Sequence, residues 1–133
     1  MKTFDAVQKY FDAWNAHNPD AILKSLASRG HYSDPCGGEN LSGEGLKNYT
    51  NAIFTAFPDV HFAITSTTDD GANKFTVEWV GKGTHKGPLL GSPATGRTFT
   101  WPGVDLIEVQ DGKVLSCRGY FDQLTLLKQL GLL

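Results

Sequence analysis

The chain of 133 residues suits one compact domain and is short for two, and a content of 40% hydrophobic and 11% aromatic residues excludes a disordered protein. The net charge is −2 and the 12 lysines and arginines form no basic stripe, which argues against a nucleic-acid partner. No apolar run approaches the roughly 20 residues that span a bilayer, no signal peptide is recognisable, and the two cysteines match no metal-ligand spacing. We therefore expect a single cytoplasmic domain over residues 1–133, with free thiols, no bound metal and no membrane partner.

Apolar residues at three- and four-residue steps predict three helices before Pro58, over residues 3–17, 18–30 and 42–58. Thr3 and Ser42 are candidate N-caps of the first and third, and Asn18 with Pro19 is a strong start for the second. Between the second and third helices, residues 31–34 read as a short strand and residues 36–40 as a loop.

After Pro58 the period becomes two, which is typical of strands. Strands are predicted near residues 60–65, 75–79, 97–109 and 114–122, and residues 86–96 read as a loop rich in proline and glycine. Leucines at helical spacing over residues 124–130 predict a short last helix that Gly131 ends. Helices followed by an antiparallel meander indicate an α+β fold, with three helices packed on one face of a curved sheet.

The Asp111-Gly112 dipeptide is the strongest hairpin signal, and it permits a count of the strand register. If Gln110 faces Lys113, Asp105 lies opposite Arg118 on the same face. Continuing the count brings Trp101 near Asp122, with a shift of one residue if Pro102-Gly103 forms a bulge. A face bearing two aspartates, an arginine and aromatic rings, under helices that carry more rings, indicates a pocket. Its candidate members are Trp14, Asp34, Phe54, Phe57, Trp79, Trp101, Asp105, Arg118, Tyr120 and Asp122.

Asp122 stands where the last strand meets the last helix, and two interpretations follow. Under a helix that folds back over the sheet, a carboxyl group loses solvent, and its pKa rises toward the range of acid/base catalysis. Aspartate is also a favoured N-cap, and position alone favours that second interpretation.

Histidines and one X-Pro pair supply weaker candidates. His85 can donate to a ligand carbonyl, although a surface histidine is the simpler interpretation. Asp34 before Pro35 is common turn chemistry. The other three histidines show no metal-ligand spacing and receive no role.

Several segments together resemble one family, the SnoaL-like polyketide cyclases or ester cyclases of the nuclear transport factor 2-like superfamily. They are residues 10–20, 56–59, 83–93 with Thr95-Gly96-Arg97, and Asp111-Gly112-Lys113 followed by residues 119–123. The resemblance implies a cone-shaped α+β barrel and ring closure by intramolecular aldol condensation without metal or cofactor. It also implies that Asp122, at the start of the last helix, is the acid/base, and that His85 is a pocket residue. Ser116-Cys117-Arg118 departs from the Glu-His-Trp type of segment that family members often carry, and an arginine there suits a carboxylate or enolate oxygen.

The sequence therefore predicts a cofactor-independent enzyme that acts on a small, largely apolar carbonyl compound. Asp122 is the predicted acid/base, His85 or Arg118 the stabiliser of the oxyanion, and an aromatic wall holds the substrate dry. An isomerase or hydrolase using the same carboxylate is the nearest variant. The alternatives from other classes are a module that binds a hydrophobic ligand without transforming it, and a protein whose exposed sheet face forms a homodimer.

Overall fold

The computed structural model describes residues 3–133, which form four helices and one six-stranded sheet. In chain order the elements are α1 (Thr3–Asn15), α2 (Pro19–Lys24), β1 (Leu26–Asp34), β2 (Gly38–Leu41), α3 (Gly43–Ala56), β3 (His61–Asp69), β4 (Lys74–Thr84), β5 (Thr98–Gln110), β6 (Lys113–Phe121) and α4 (Gln123–Leu130).

The sheet has the strand order β2-β1-β6-β5-β4-β3. Strands β3 to β6 form the predicted antiparallel meander, whereas β1 runs parallel to β6. The sheet is thus mixed, and its two edge strands, β2 and β3, do not pair with each other. This architecture confirms the α+β class and the cone-shaped fold, and the parallel pair of β1 with β6 is an addition to the predicted antiparallel meander.

Several predicted helix ends agree with the structure because local chemistry decides them. Asn18 caps α2 by accepting a hydrogen bond from the backbone N–H of Ala21 at 3.1 Å, and Pro19 occupies the first turn. Gly131 ends α4 with φ of 73°, the left-handed conformation that glycine adopts without strain. Thr3, predicted as a cap, is the first residue of α1.

The segment after α2 differs from the prediction. Helix α2 ends at Lys24, and the chain then enters strand β1 at Leu26, which continues to Asp34. Residues 38–40, predicted as loop, belong to β2. Pairing with a neighbouring strand explains both differences, because β1 gains hydrogen bonds from β6 and β2 gains them from β1, and no local sequence pattern predicts either pairing.

The register of β5 on β6 corrects the position of Arg118. Gln110 does face Lys113, but the pairing steps from Glu108 opposite Ser116 to Val109 opposite Val114, so Leu115 is an extra residue. This bulge places Leu106 opposite Arg118 and Asp105 opposite Gly119. Strand β5, by contrast, runs without a bulge through Pro102 and Gly103, where the sequence predicts an interruption.

The inner face of the sheet packs against α1 and α3 and forms the core. Along β5 the buried residues alternate, with Trp101, Asp105, Ile107 and Val109 facing inward. On β6 this face continues with Val114 before the bulge and with Cys117 and Gly119 after it. Asp105 is thereby held at the middle of the inner face, under the helices.

Candidate functional site

A pocket lies between the inner face of the sheet and helices α1 and α3. It encloses about 420 Å³ of empty space, part of which is open to solvent, and it is narrow where the side chains meet. Its walls are mostly aromatic, and the two carboxyl groups among them are those of Asp34 and Asp105. The lining residues are Tyr10, Phe11, Trp14, Tyr32, Asp34, Tyr49, Ile53, Phe62, Trp79, Trp101, Asp105 and Phe121.

Asp105 is fixed in the pocket by its neighbours on both flanking strands. Its Oδ1 accepts a hydrogen bond from Trp79 Nε1 at 3.0 Å. Trp79 reaches it across Gly103, where a Cβ atom would lie 2.3 Å from the indole ring. On the other side stands Gly119, where a Cβ atom would lie 3.1 Å from Asp105 Oδ1. Two glycines therefore make the room that the carboxyl group and its indole donor occupy.

The surroundings of Asp105 raise its pKa to about 7, chiefly because burial removes water from the carboxylate. The hydrogen bond from Trp79 and the Cys117 thiol act in the opposite direction, and the negative charge of Asp34 raises the pKa further. Asp105 is only 7% exposed. A carboxyl group with a pKa near neutrality can both take and give a proton at physiological pH.

Asp34 differs from Asp105 in that four hydrogen-bond donors surround its carboxylate. Its Oδ2 accepts hydrogen bonds from the hydroxyl groups of Tyr32 at 2.5 Å and Tyr49 at 2.6 Å. Its Oδ1 accepts from the backbone N–H groups of Cys36 at 2.7 Å and Gly37 at 2.5 Å. Asp34 thus ties β1 to α3 and to the turn that follows β1, and it holds two tyrosines in the pocket wall.

Two other pocket residues carry buried donors that have no hydrogen-bond partner among residues 3–133. These are the Tyr10 hydroxyl and Trp101 Nε1. Burial raises the pKa of the Tyr10 phenol well above its usual value, so this hydroxyl keeps its proton. Leaving a buried donor unpaired costs about 1–3 kcal/mol, so a ligand oxygen that accepts from one of them binds favourably.

Of the residues that the sequence singles out, five lie together in this pocket. They are Trp14, Asp34, Trp79, Trp101 and Asp105. Phe57 lines a neighbouring groove instead. Phe54 lies behind the wall, where its ring packs against Trp14 at 5.8 Å and stacks on His17 at 4.6 Å between centroids.

Asp122 is exposed, and the expectation that α4 desolvates it was wrong. Its Oδ1 accepts from the backbone N–H of Thr125 at 2.9 Å, and its Oδ2 accepts from the Thr125 hydroxyl at 2.6 Å. These hydrogen bonds hold the pKa of Asp122 below its usual value. The geometry is that of the N-cap, the interpretation that position alone favoured.

Arg118 and Tyr120 lie on the outer face of the sheet, away from the pocket. Arg118 forms a bidentate ion pair with Glu39, with N–O distances of 2.9 and 2.6 Å, and not the predicted pair with Asp105. Tyr120 is 47% exposed and faces Val104. The bulge at Leu115 accounts for both positions, because a shift of one residue exchanges the two faces of a strand.

His85 is fully buried but does not line the pocket. Its Nδ1 lies 3.0 Å from the Thr95 hydroxyl and accepts from the Thr95 backbone N–H at 3.2 Å. Its backbone N–H donates to Arg97, and its ring packs on Phe57. The structure therefore places His85 as an anchor of the loop between β4 and β5, apart from Asp105.

The sequence interpretation missed the tyrosines that surround the two aspartates. Tyr32 and Asp34 alternate along β1, so a strand starting at Leu26 would have placed both on one face. Tyr10 precedes Trp14 by four residues on α1 and therefore shares its face. Both signals were readable, but nothing in the local pattern connected them to Asp105.

Within residues 3–133, no group of three or more histidine, cysteine or acidic side chains is arranged to hold a metal ion. No helix in the same range has the length and apolar character needed to cross a membrane.

The fold and the pocket define a class of protein in which helices and an open, curved sheet enclose an apolar, largely aromatic cavity. Solved structures of this fold include AclR from Streptomyces galilaeus, with a TM-score of 0.85 and 21% identity over 98% of this chain and 85% of that one. Wild-type IdmH from Streptomyces antibioticus gives a TM-score of 0.83 and 23% identity over 98% of this chain and 99% of that one. These likenesses establish the nuclear transport factor 2-like fold.

The family follows from the sequence match. Residues 4–130 match the model of the SnoaL-like polyketide cyclases, and the chain belongs to that family. It is similar to the aklanonic acid methyl ester cyclase DnrD of Streptomyces peucetius, with 45% identity over 49 residues. That match covers 37% of this chain and 34% of DnrD, so it spans about a third of the relative's length.

Proposed function

We propose that this protein is a cofactor-independent enzyme that closes a ring in a largely apolar dicarbonyl compound, with Asp105 as its general acid and base. The observation that carries the proposal is one carboxyl group with a pKa of about 7, buried in an aromatic pocket and held by Trp79. Asp105 replaces Asp122 in this role because Asp122 is exposed and serves as an N-cap.

The reaction needs two proton transfers and no redox step. The Asp105 carboxylate removes a proton from a carbon next to one carbonyl and leaves an enolate. The enolate carbon attacks a second carbonyl of the same molecule, which forms the ring C–C bond and leaves an alkoxide. The alkoxide then takes the proton from Asp105, which returns to its carboxylate form. A pKa close to the working pH suits a group that performs both transfers.

Trp101 Nε1 and the Tyr10 hydroxyl are the proposed donors to the developing oxyanion. Both are buried, both belong to pocket residues, and neither has a hydrogen-bond partner within residues 3–133. Fixed donors in a dry site stabilise charge that develops on oxygen without having to reorganise. They take the place of His85 and Arg118, which lie outside the pocket.

A direct test follows exchange of the proton next to the carbonyl, the first step of the reaction. Methyl acetoacetate and aklanonic acid methyl ester, the compound in the name of the relative DnrD, are incubated in D₂O with the protein, and NMR measures the rate. Asp105→Asn removes the base without changing its shape, and we expect the catalysed rate to fall by about 10²–10⁴-fold.

Asp122→Asn is the matched control, because it neutralises the other aspartate while keeping a good N-cap. The proposal requires that this variant keep most of the wild-type rate. The opposite pattern, with Asp122→Asn inactive and Asp105→Asn active, would return the acid/base role to Asp122. No catalysis by the wild type on any dicarbonyl tested, together with tight binding, would favour the ligand-binding module.

A further inference from the structure

The aromatic rings around Asp105 meet one another almost at right angles. The Phe62 ring stands at 84° to Trp14 and at 89° to Trp79, with ring centroids 5.9 and 5.2 Å apart. Trp79 in turn stands at 89° to Trp101, at 5.8 Å. Rings set at right angles to their neighbours enclose a space from several sides. We call this set the aromatic box; its members are Tyr32, Trp14, Phe62, Trp79, Trp101 and Phe121, each in contact with the next.

The charged groups in the wall of this pocket are all acidic. Among residues 3–133, Asp34 and Asp105 line the pocket, and no lysine, arginine or histidine does. Asp34 is 3% exposed and Asp105 7% exposed, and neither forms an ion pair in the described part of the chain. Acidic side chains are rarely this buried without a cation beside them, because charge is costly away from water. The pocket therefore offers a negative electrostatic potential to a ligand.

Tyr10 supplies a third polar group that is independent of the two carboxyl groups. It is 1% exposed and lines the pocket, and its hydroxyl group has no hydrogen-bond partner within residues 3–133. A hydroxyl oxygen accepts as well as donates, and its hydrogen rotates to suit the partner. The group that would donate to an oxyanion therefore also presents lone pairs to a positively charged ligand.

Aromatic faces, acidic groups and a free hydroxyl oxygen are together the features that recognise an organic cation. The face of an aromatic ring is its negative side, so several rings around one site attract an ammonium group, most strongly when it is desolvated. A metal ion fits less well, because no three potential metal-ligating side chains cluster in the described residues. The narrow space between the side chains favours a compact ammonium head.

We propose that this pocket binds a small organic cation of the methylated ammonium class, with its charged head inside the aromatic box beside Asp34 and Asp105. The proposal goes beyond ring closure and does not depend on it, because it requires only binding.

Cation binding should be linked to the titration of Asp105. A positive charge beside this carboxyl group favours its charged form, so the cation lowers the Asp105 pKa from about 7. By linkage, the cation should bind more tightly above pH 7 than below it.

The other titratable groups near Asp105 belong to four elements. Asp34 lies on β1 and is held by four hydrogen-bond donors. Burial raises the pKa values of the remaining groups, three phenols and one thiol, so they keep their protons at neutral pH. These groups are Tyr10 on α1, Tyr32 on β1, Tyr49 on α3 and Cys117 on β6.

The test compares two ligands of the same shape. Choline and 3,3-dimethyl-1-butanol differ only in the exchange of the charged nitrogen for carbon, so their methyl groups bury nearly the same apolar area. Isothermal titration calorimetry of the wild type at about pH 8.5 gives both dissociation constants. We expect choline to bind at least about 10-fold more tightly. Equal affinities, or tighter binding of the neutral alcohol, would overturn the proposal.

Asp105→Asn removes the titrating charge, and Asp122→Asn is its matched control at an exposed aspartate outside the pocket. Between about pH 6 and 8.5, the choline affinity of the wild type and of Asp122→Asn should rise by about 10-fold, as a pKa lowered by one unit requires. The affinity of Asp105→Asn should stay constant. Binding of the neutral alcohol to all three proteins checks that the pocket is intact, and an unchanged pH dependence in Asp105→Asn would contradict the proposal.

Carbon-detected NMR of the wild type tests the same linkage without any variant. Saturating choline should lower the Asp105 pKa from about 7 by at least about one unit, and 3,3-dimethyl-1-butanol should not lower it. A pKa that choline leaves unchanged would place the cation away from Asp105 and overturn the proposal. Failure of proton exchange on every dicarbonyl compound would end the proposed function and leave these binding results intact.

Discussion

Asp105 and Asp122 lie 17 positions apart in the sequence, and their surroundings shift their pKa values in opposite directions. Burial dominates at Asp105, where it opposes the charged form. Hydrogen bonds from Thr125 dominate at Asp122, where they favour the charged form. Accessibility to water, and not the residue type or its place in a motif, separates the candidate acid/base from the helix cap.

Asp105 should make stability depend on pH. Its pKa of about 7 lies above the value of 3.8 expected when unfolded, so the folded state keeps a proton that the unfolded state releases. Stability should therefore fall as pH rises from about 4 to 7, by about 4 kcal/mol at 1.36 kcal/mol per pH unit, and then level off.

Urea unfolding of wild type and Asp105→Asn between pH 4 and 8 measures this effect. The neutral amide has no proton to lose, so the variant should match the wild type near pH 4 and exceed it near pH 8. A variant that is less stable at every pH would show that the charged form of Asp105 is well accommodated.

Asp122 should contribute to stability through its cap. Asp122→Ala removes the acceptor of two hydrogen bonds from Thr125 and should lower the midpoint of thermal unfolding, whereas Asp122→Asn should largely retain it. The aspartate's lowered pKa adds stability above its unfolded pKa, and this part is lost as pH falls through the folded value. Equal losses in Ala and Asn variants at neutral pH would mean that charge, and not capping geometry, is what α4 needs.

At the scale of secondary structure, the helices and strands were easier to predict from the sequence than the pairing between strands. The period of two, the Asp111-Gly112 turn and the Gly131 cap each act locally, and the structure confirms the elements that they predict. The Leu115 bulge could not be predicted from the local sequence, because it depends on how β6 fits between β5 and β1. That single extra residue moved Arg118 out of the predicted site and put Gly119 opposite Asp105.

The element that positions Asp105 is the β4-β5 pair, and Gly103 is its critical residue. Gly103→Ala puts a Cβ atom into the Trp79 ring, so the indole must move away from Asp105. We expect a loss of about 1–3 kcal/mol in stability from overpacking, and a rise in the Asp105 pKa as the hydrogen bond that lowers it is lost.

Gly45→Ala is the matched control for Gly103→Ala, because no atom lies within 4 Å of its added Cβ and it stands in helix α3. It should leave the Asp105 pKa unchanged and raise stability slightly. If Gly103→Ala is as benign as Gly45→Ala, the indole does not hold the carboxyl group in the way described.

At the scale of the whole molecule, the outer face of the sheet remains uncovered. Leu106 is 43% exposed and Tyr120 47% exposed, and both project from the face opposite the pocket. We propose that this face forms a homodimer, as a sheet with one open face commonly does. The dimer is independent of the acid/base proposal, because it uses none of the pocket residues.

Sedimentation velocity of wild type and Leu106→Lys tests the dimer. A charge in the middle of the face should shift the protein to monomer, while Leu124→Lys, at a leucine 53% exposed on α4, should leave the dimer intact. A monomeric wild type at micromolar concentration would exclude this interface.

The whole domain could be placed in its fold from sequence because motifs along nearly its full length agree with the family that residues 4–130 match. The functional site was harder to predict from the sequence than the fold. Trp14, Asp34, Trp79, Trp101 and Asp105 were among the candidates, but which carboxyl group is buried depends on contacts between elements distant in sequence. Trp79 and Asp105, for example, are 26 residues apart and meet only through the sheet.

The most direct test of this account is the pKa of the Asp105 side chain, measured by carbon-detected NMR titration with Asp105→Asn to assign the signal. We expect a carboxyl resonance that titrates near pH 7 and disappears in the variant, while Asp122 titrates below its usual value. A value for Asp105 at or below about 4 would mean a solvated or stably charged carboxylate, and would contradict its role as the acid and base of this pocket.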